Sequence, residues 1–388
     1  MVCGRGMGRL RAESSSGTGI GHAARRRTPS LAVESVFGGR RRGTGPRRPA
    51  RRAAATAGPS TGRGRRRGSA FALDLLSRPD PVRAEAAMIR LSNGHALDHV
   101  VSSGSLAFDG RGWPWQRAMV ASGLIRPDLF TVVLKTLTRH PREGNLKLYK
   151  PWTCVRLVPG GSVNKVGLTN PGFDWWLRDV APKLDYGRVK TVVSIFGDDD
   201  ELGEMAAKLD RFPLAALEVN PSCPNTGHAL GNAGQVVAGV DAVKRVSRHP
   251  VIVKVSTSQD YLAIARGLKG LAEAIALNSV PWEQVYPDGR SPLWRLEKRV
   301  GGGGGGVSGR PAQALNWRAV REIAEDGALP VIAPSVMQFD DLERVRALGA
   351  RAVGYGAIHF RAPWLPTRIV KRDLARRAAT PLAERQAA

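Results

Sequence analysis

Cysteine is scarce in this chain: Cys3, Cys154 and Cys223 form an odd, widely spaced set with no CxxC pair. That excludes a disulfide scaffold and suits a reducing compartment, so a cytoplasmic location is expected. An iron–sulfur cluster held wholly by this chain is excluded too, because such clusters take about four cysteine ligands. No apolar run approaches the roughly 18 residues that a membrane span needs, and no membrane partner is expected. The seven histidines are scattered, and only His228 lies near a cysteine, so no metal site is expected. GxSxG occurs once, as Gly58-Pro59-Ser60-Thr61-Gly62 in an Arg-rich segment with no strand before it or helix after it, which leaves a serine hydrolase without support.

Lysine is absent from residues 1–70, which hold 17 arginines against two acids, Glu13 and Glu34. That segment carries +15 of the chain's net +26 and leaves +11 for the rest. The stretch "GGRRRGTGPRRPARRAAATAGPSTGRGRRRGS" has almost nothing to bury, so it cannot offset its ordering entropy and is expected to be disordered. Phosphate contacts with nucleic acid and an organelle transit role are two readings of it. Arginine without lysine reads more as nucleotide composition, and the preferred reading is an extension upstream of the natural start. From Met88 the composition becomes ordinary. The expected organisation is an extension over 1–87, one catalytic domain over 88–375 and a flexible tail over 376–388.

What is present in that middle region is an alternation of short β-branched runs with longer amphipathic stretches. The runs are "HVVSSG" (99–104), "TVVLKT" (131–136), "TVVSIFG" (191–197), "AALEVN" (215–220), "PVIVKVS" (250–256), "AIALNS" (274–279), "PVIAPS" (330–335) and "AVGYGA" (352–357). Helix-like stretches such as "DELGEMAAKLDRF", "AGQVVAGVDAVKRVSR", "ALNWRAVREIAED" and "DDLERVRALG" lie between several of them. Alternation of this kind implies a parallel sheet, and eight runs fit a closed (β/α)8 TIM barrel. "VNKVGLTN" (163–170) is a ninth run and has to lie outside the barrel. An open doubly wound sheet is the alternative, but no GxGxxG follows the first strand.

Polar residues gather at the carboxyl ends of the runs: Ser102, Ser103, Lys135, Asn220, Lys254, Asn278 and Ser279. In a barrel those ends line one mouth, where the active site sits. A lysine within "VVLKT" or "VIVKV" needs a partner if both sheet faces are covered, and an anionic ligand or an electron-rich cofactor supplies one. An edge strand with its lysine in water is the bland alternative. A Schiff-base aldolase would use Lys254, yet has no use for Lys135, Cys223 and several asparagines together. "GGGGGGVSG" (301–309) offers backbone amides to a phosphate or ring, or is a plain linker; "GYGA" (354–357) ends the last strand. Cys223, in "NPSCPNTG", stands on a polar loop beyond a strand, where a thiol of lowered pKa is a usable base rather than a small buried hydrophobe.

"NPSCPNTG" resembles the catalytic loop of class 1 dihydroorotate dehydrogenases, which are FMN-dependent (β/α)8 barrels. The resemblance covers roughly residues 88–370 and extends to "LKTLTRHPREGN", "VNKVGLTNPG", "VIVKVS", "ALNSV" and "GGVSG". It implies oxidation of dihydroorotate to orotate in pyrimidine synthesis, with Cys223 as the base that removes a ring proton while the adjacent carbon gives hydride to FMN. Serine stands at this position in class 2 relatives, so Cys223 favours class 1. By the resemblance, Asn164, Gly167, Leu168, Asn220, Asn225, Asn278 and Ser279 bind the pyrimidine. Ser103, Lys135, Lys254, Gly306, Ser308, Gly309, Ser335, Gly356 and Ala357 bind the flavin. It also implies a homodimer, and an electron-transfer subunit if the acceptor is NAD.

Three departures stand out. "APSVM" (333–337) puts Ser335 and Val336 where the family has a glycine pair for the FMN phosphate, and Ala357 replaces a hydroxyl residue. The segment 280–300, "VPWEQVYPDGRSPLWRLEKRV", is long and aromatic, and is expected to cap the site, alter substrate choice or make an oligomer contact. An FMN enzyme acting on another pyrimidine C=C bond, of dihydropyrimidine dehydrogenase type, is the alternative. A degenerate, flavin-free barrel whose basic tail contacts nucleic acid is a second.

Overall fold

The computed structural model describes residues 88–221 and 232–379. The readings placed on the N-terminal extension, on Cys223 and on Asn225 lie outside these residues. Eight parallel strands close on themselves: β1 (His99–Val101), β2 (Thr131–Val133), β3 (Lys190–Phe196), β4 (Ala216–Val219), β5 (Val251–Val255), β6 (Ala274–Leu277), β7 (Val331–Ala333) and β8 (Ala352–Tyr355). Each pairs with its sequence neighbours, and Val353 opposite His99 closes the ring between β8 and β1. The barrel therefore has no edge strand, and the edge reading of the two lysines is excluded.

Alternation along each strand sorts side chains to two layers. Val101, Val193, Leu217 and Val253 face outward and pack against the helices. Val100, Val133, Val192, Ala216, Ile252, Ala276 and Ile332 face inward and form a separate apolar floor with Ile89, Leu91 and Leu97 of a small N-terminal hairpin. The period of two then dictates what lies above the floor. Two residues beyond Val133 is Lys135, beyond Val192 is Ser194, beyond Ala216 is Glu218, beyond Ile252 is Lys254 and beyond Ala276 is Asn278. The polar ends are thus the upper rungs of the same inward ladders.

The helices carry the local signals expected of them. Asp198 accepts from the Glu201 N–H and forms a reciprocal capping box on the helix Asp199–Leu209. Asn232 caps Ala233–Val246 through the Gln235 N–H. Helix Gln313–Asp326 stops at Gly327, whose φ of +70° suits glycine. The final helix runs Leu365–Ala379, so Arg376 and Arg377, placed in a flexible tail by sequence, belong to the folded part. None of the described helices is long and apolar enough to cross a membrane.

The ninth run also lies where topology required it. Gly161–Asn164 pairs with Val155–Val158 and with Gly306–Gly309 in an antiparallel sheet outside the barrel, to which Val280–Pro281 adds a short strand. The long 280–300 segment packs against this sheet: its Val280, Trp282 and Leu293 join Val158, Val163 and Val307 in one buried cluster. It buttresses the sheet, and none of its residues lines the cavity described below.

His95 and His99 stand four apart but are not a ligand pair. The His95 ring bonds Thr131, while His99 bonds Tyr355 and Asp373. His359 is fully buried, donates from Nδ1 to the Tyr355 carbonyl at 3.2 Å and leaves Nε2 without a partner. Burial pushes its pKa from 6.5 down to about 4. Between those values the unfolded chain takes up a proton that the native state refuses, so stability falls as pH falls. The loss amounts to about 3 kcal/mol across the window. His359→Leu is expected to remove this component, seen as a smaller drop in urea midpoint between pH 7 and pH 4.5 than in the parent protein. An equal drop in both would show that His359 does not titrate this way.

Candidate active site

The upper rungs open into a cavity of about 420 Å³ at the carboxyl ends of the strands. Such volumes suit small-molecule and cofactor sites. Of the expected site residues, Asn164, Gly167, Leu168, Asn220, Asn278, Ser279, Ser103, Lys135, Lys254, Ser308, Gly309, Ser335, Gly356 and Ala357 all line it. Gly306 stands one step back: its carbonyl accepts from Asn164 Nδ2 at 3.3 Å. A β-carbon at Gly306 would collide with the Ser279 hydroxyl, so glycine is required for the two strands to meet there.

The turn that presents Gly167 and Leu168 is strained and tied down. Both have left-handed backbone, φ +69° and +57°, which is uncommon for leucine. Asn170 holds it through Nδ2, donating to the Leu168 carbonyl at 2.7 Å and to Thr138 Oγ1 at 2.9 Å. Ser335, where a glycine was expected, keeps a glycine-like φ of +67°. Its hydroxyl accepts from Asn316 Nδ2 at 3.1 Å, which leaves its own O–H to donate. The next amides, of Met337 and Gln338, both donate to the Asp341 carboxylate, which shapes the loop from below.

The glycine run is not a plain linker. Lys165, 1% exposed, inserts beneath it and donates to the carbonyls of Gly302 and Gly303 at 2.6 and 2.7 Å. Burial lowers the Lys165 pKa, while Glu297 and Glu283 oppose that shift. Glu283 accepts from the Gly304 amide at 2.5 Å, and Ser291 Oγ donates to the Gly304 carbonyl at 2.6 Å. The run is a pinned turn that delivers Gly306 to Asn164 and Ser279. Cys154, beneath the same sheet, is fully buried and its thiol is pushed up to about 11 by burial, against the pull of Lys135. It is an inert core residue.

The buried-lysine argument correctly placed Lys254 but missed its partner. Lys254 Nζ donates to Glu218 Oε1 at 2.7 Å, a bond between adjacent strands β5 and β4. Ser194 Oγ donates to the same oxygen at 2.7 Å and lies 2.9 Å from Thr136 Oγ1, which accepts from Asn220 Nδ2 at 3.0 Å. Glu218 stands inside the apolar run "AALEV" at the parity of the polar rungs, and the reasoning that singled out the lysines applied equally to it. Trp113, Trp115 and Trp152 at the rim were also missed; Trp113 and Trp115 stack with ring planes 9° apart. Nothing in local sequence separates them from surface aromatics.

With this geometry in place, comparison with known proteins is informative. A family model described as dihydroorotate dehydrogenase matches residues 116–377. The chain is 36% identical over 245 residues to the dihydroorotate dehydrogenase B (NAD(+)), catalytic subunit, of Desulforudis audaxviator, covering 61% of this chain and 76% of that protein. It is 32% identical over 253 residues to the protein of the same name in Desulforamulus reducens (63% and 80%). For the one in Solidesulfovibrio magneticus the identity is 33% over 254 residues (62% and 79%).

Proposed function

We propose a reaction on the premise that this chain belongs to the dihydroorotate dehydrogenase family: it oxidises dihydroorotate to orotate, with FMN held in the strand-end cavity. The observation that carries this reading is the convergence of two buried lysines and three asparagines, on separate strands and loops, upon one cavity. The residues present fit FMN. Gly354 and Gly356 leave room beside Ser102 that a β-carbon would occupy, Ser335 offers a hydroxyl at a glycine-like turn, and Lys135 and Lys254 bring cations to the cavity wall.

Asn164, Asn220 and Asn278 are each able to donate and accept, which matches the alternating N–H and C=O edge of a pyrimidine. Ser279, with the strained Gly167–Leu168 turn, closes the same side. Cys223 takes the proton from the ring carbon and holds it as a thiol; its support is its place in "NPSCPN", three residues after Asn220. Asn225 joins the substrate set on the same ground. FMN, when bound, supplies a two-electron acceptor for the hydride. Lys135 and Lys254 favour negative charge beside them and so assist hydride departure. Ser103, Ser308, Gly309, Ser335, Gly356 and Ala357 hold the cofactor against the wall. Because the relatives named above are catalytic subunits of an NAD(+)-linked enzyme, we assign electron removal to a second subunit, and the protein itself to a homodimer in the cytoplasm.

Purified protein tests this directly. A yellow preparation whose flavin absorbance is bleached by dihydroorotate without oxygen is the expected result. Yellow protein that dihydroorotate leaves unbleached would overturn the substrate, and colourless protein that takes up no FMN would overturn the reaction.

A further inference from the structure

The charged residues that line the cavity, among the described residues, are Lys135, Lys254 and Glu218. Glu218 is 3% exposed and sits in the middle of a strand, where an acid is costly unless it acts on something. Its Oε1 receives both Lys254 Nζ and Ser194 Oγ at 2.7 Å. We propose that Glu218 is a positioning residue that sets the charge of the flavin site: it fixes the Lys254 ammonium at the cavity wall and offsets part of its field. This rests on the FMN-dependent reading above and deepens it.

The physical reason lies in the need for two-way electron flow. A flavin in this site must be reduced by substrate and then give its electrons up. An uncompensated Lys254 ammonium at the cavity wall would stabilise the negatively charged reduced ring, because a charge held beside it acts more powerfully than one in water. With Glu218 paired to Lys254, the opposite charges of the pair offset each other at the cavity wall, so reoxidation is not blocked. The carboxylate also anchors a hydroxyl chain, Ser194 to Thr136, that ends on the Asn220 side chain. Removing its charge while keeping its shape therefore separates its electrostatic role from a structural one.

The test is the midpoint potential of bound FMN, measured by reductive titration against a reference dye. Glu218→Gln keeps the acceptor oxygen but leaves Lys254 uncompensated. The bound flavin is expected to shift upward by at least tenfold in its reduced-to-oxidised ratio, ~30 mV for a two-electron couple. Lys254→Met is expected to shift it downward, since Glu218 then stands alone. The double substitution, Glu218→Gln with Lys254→Met, removes no net charge and is expected to return within that ~30 mV of the parent. The double variant also serves if the single Glu218→Gln does not fold. A Glu218→Gln potential that is unchanged or lower, or a double variant far from the parent, overturns the assignment. Parent protein that takes up no FMN overturns this inference together with the proposed reaction. Flavin that binds and is bleached normally, with no shift in the variants, overturns this inference alone.

Discussion

Replacing Cys223 by alanine is expected to slow flavin bleaching by dihydroorotate ~10²–10⁴-fold, the usual contribution of a positioned general base, while FMN stays bound. Oxidation of the dihydropyrimidine removes a proton and a hydride from adjacent carbons, and the two departures need different receivers. The lysines and asparagines of the cavity are poor proton acceptors here: Lys254 already donates to Glu218, and amides are not bases at neutral pH. Cys154 is no substitute, because it is buried with its thiol pushed up to about 11. Glu218 already accepts from Lys254 and Ser194, and the base we propose is the thiol three residues beyond Asn220 in "NPSCPN". Cys223→Ser is expected to keep a small activity that rises with pH, because a hydroxyl gives up its proton less readily than a thiol. Stopped-flow bleaching under anaerobic conditions reads both variants. Parent-like rates in Cys223→Ala would remove Cys223 from the chemistry and leave the flavin site standing.

Asp373→Ala is expected to cost ~3–5 kcal/mol of unfolding free energy, the range for breaking a buried charge network from one side. Asp373 is 3% exposed. Arg346 grips it with two bonds of 2.9 and 2.8 Å, Arg377 lies 2.6 Å away and His99 Nε2 lies 3.0 Å away. Burial by itself would raise its pKa, but the hydrogen bonds from Arg346 and His99 outweigh burial and hold the carboxyl far below the usual carboxylate range. Alanine would strand Arg346, which is 14% exposed at its side chain and, among the described residues, has Asp98 at 3.8 Å as its other ion-pair partner. It would also remove the bond from His99 of β1 to the final helix, leaving Arg377–Asp98 as the tie between them. Urea unfolding at neutral pH measures the loss, and a change below about 1 kcal/mol would show that Asp98 alone compensates both arginines. A depressed acid contributes stability above its unfolded pKa, so the parent should lose this contribution on acidification and the variant should not.

Asp98, His99 and Asp373 come close enough to suggest a metal site. The two guanidinium groups occupy the space and charge that a cation would need, so the cluster is an ion network at the end of the barrel away from the cavity.

The chain order of β-branched runs and amphipathic stretches was enough to determine the barrel. Right-handed parallel connections leave few ways to arrange eight alternating units, and all eight runs became barrel strands. The inward ladders followed too, since a period of two fixes which residues share a face. That is why Lys135, Asn220, Lys254 and Asn278 could be assigned to one mouth from their positions alone. Partners across strands could not be, because they depend on register. Lys254 meets Glu218 only because Ile252 aligns with Glu218 in the β5–β4 pairing, a relation between residues 36 apart in the chain. The glycine run shows the same limit: its composition allows a linker, a cradle or a turn, and the decision came from Lys165 and Glu283, which arrive from other segments. At "APSVM" (333–337), composition argued against a glycine-like backbone, yet Ser335 adopts one because Asn316 and Asp341 hold the loop around it. Local pattern determined faces and ends; tertiary packing decided which charges meet and which turns are held.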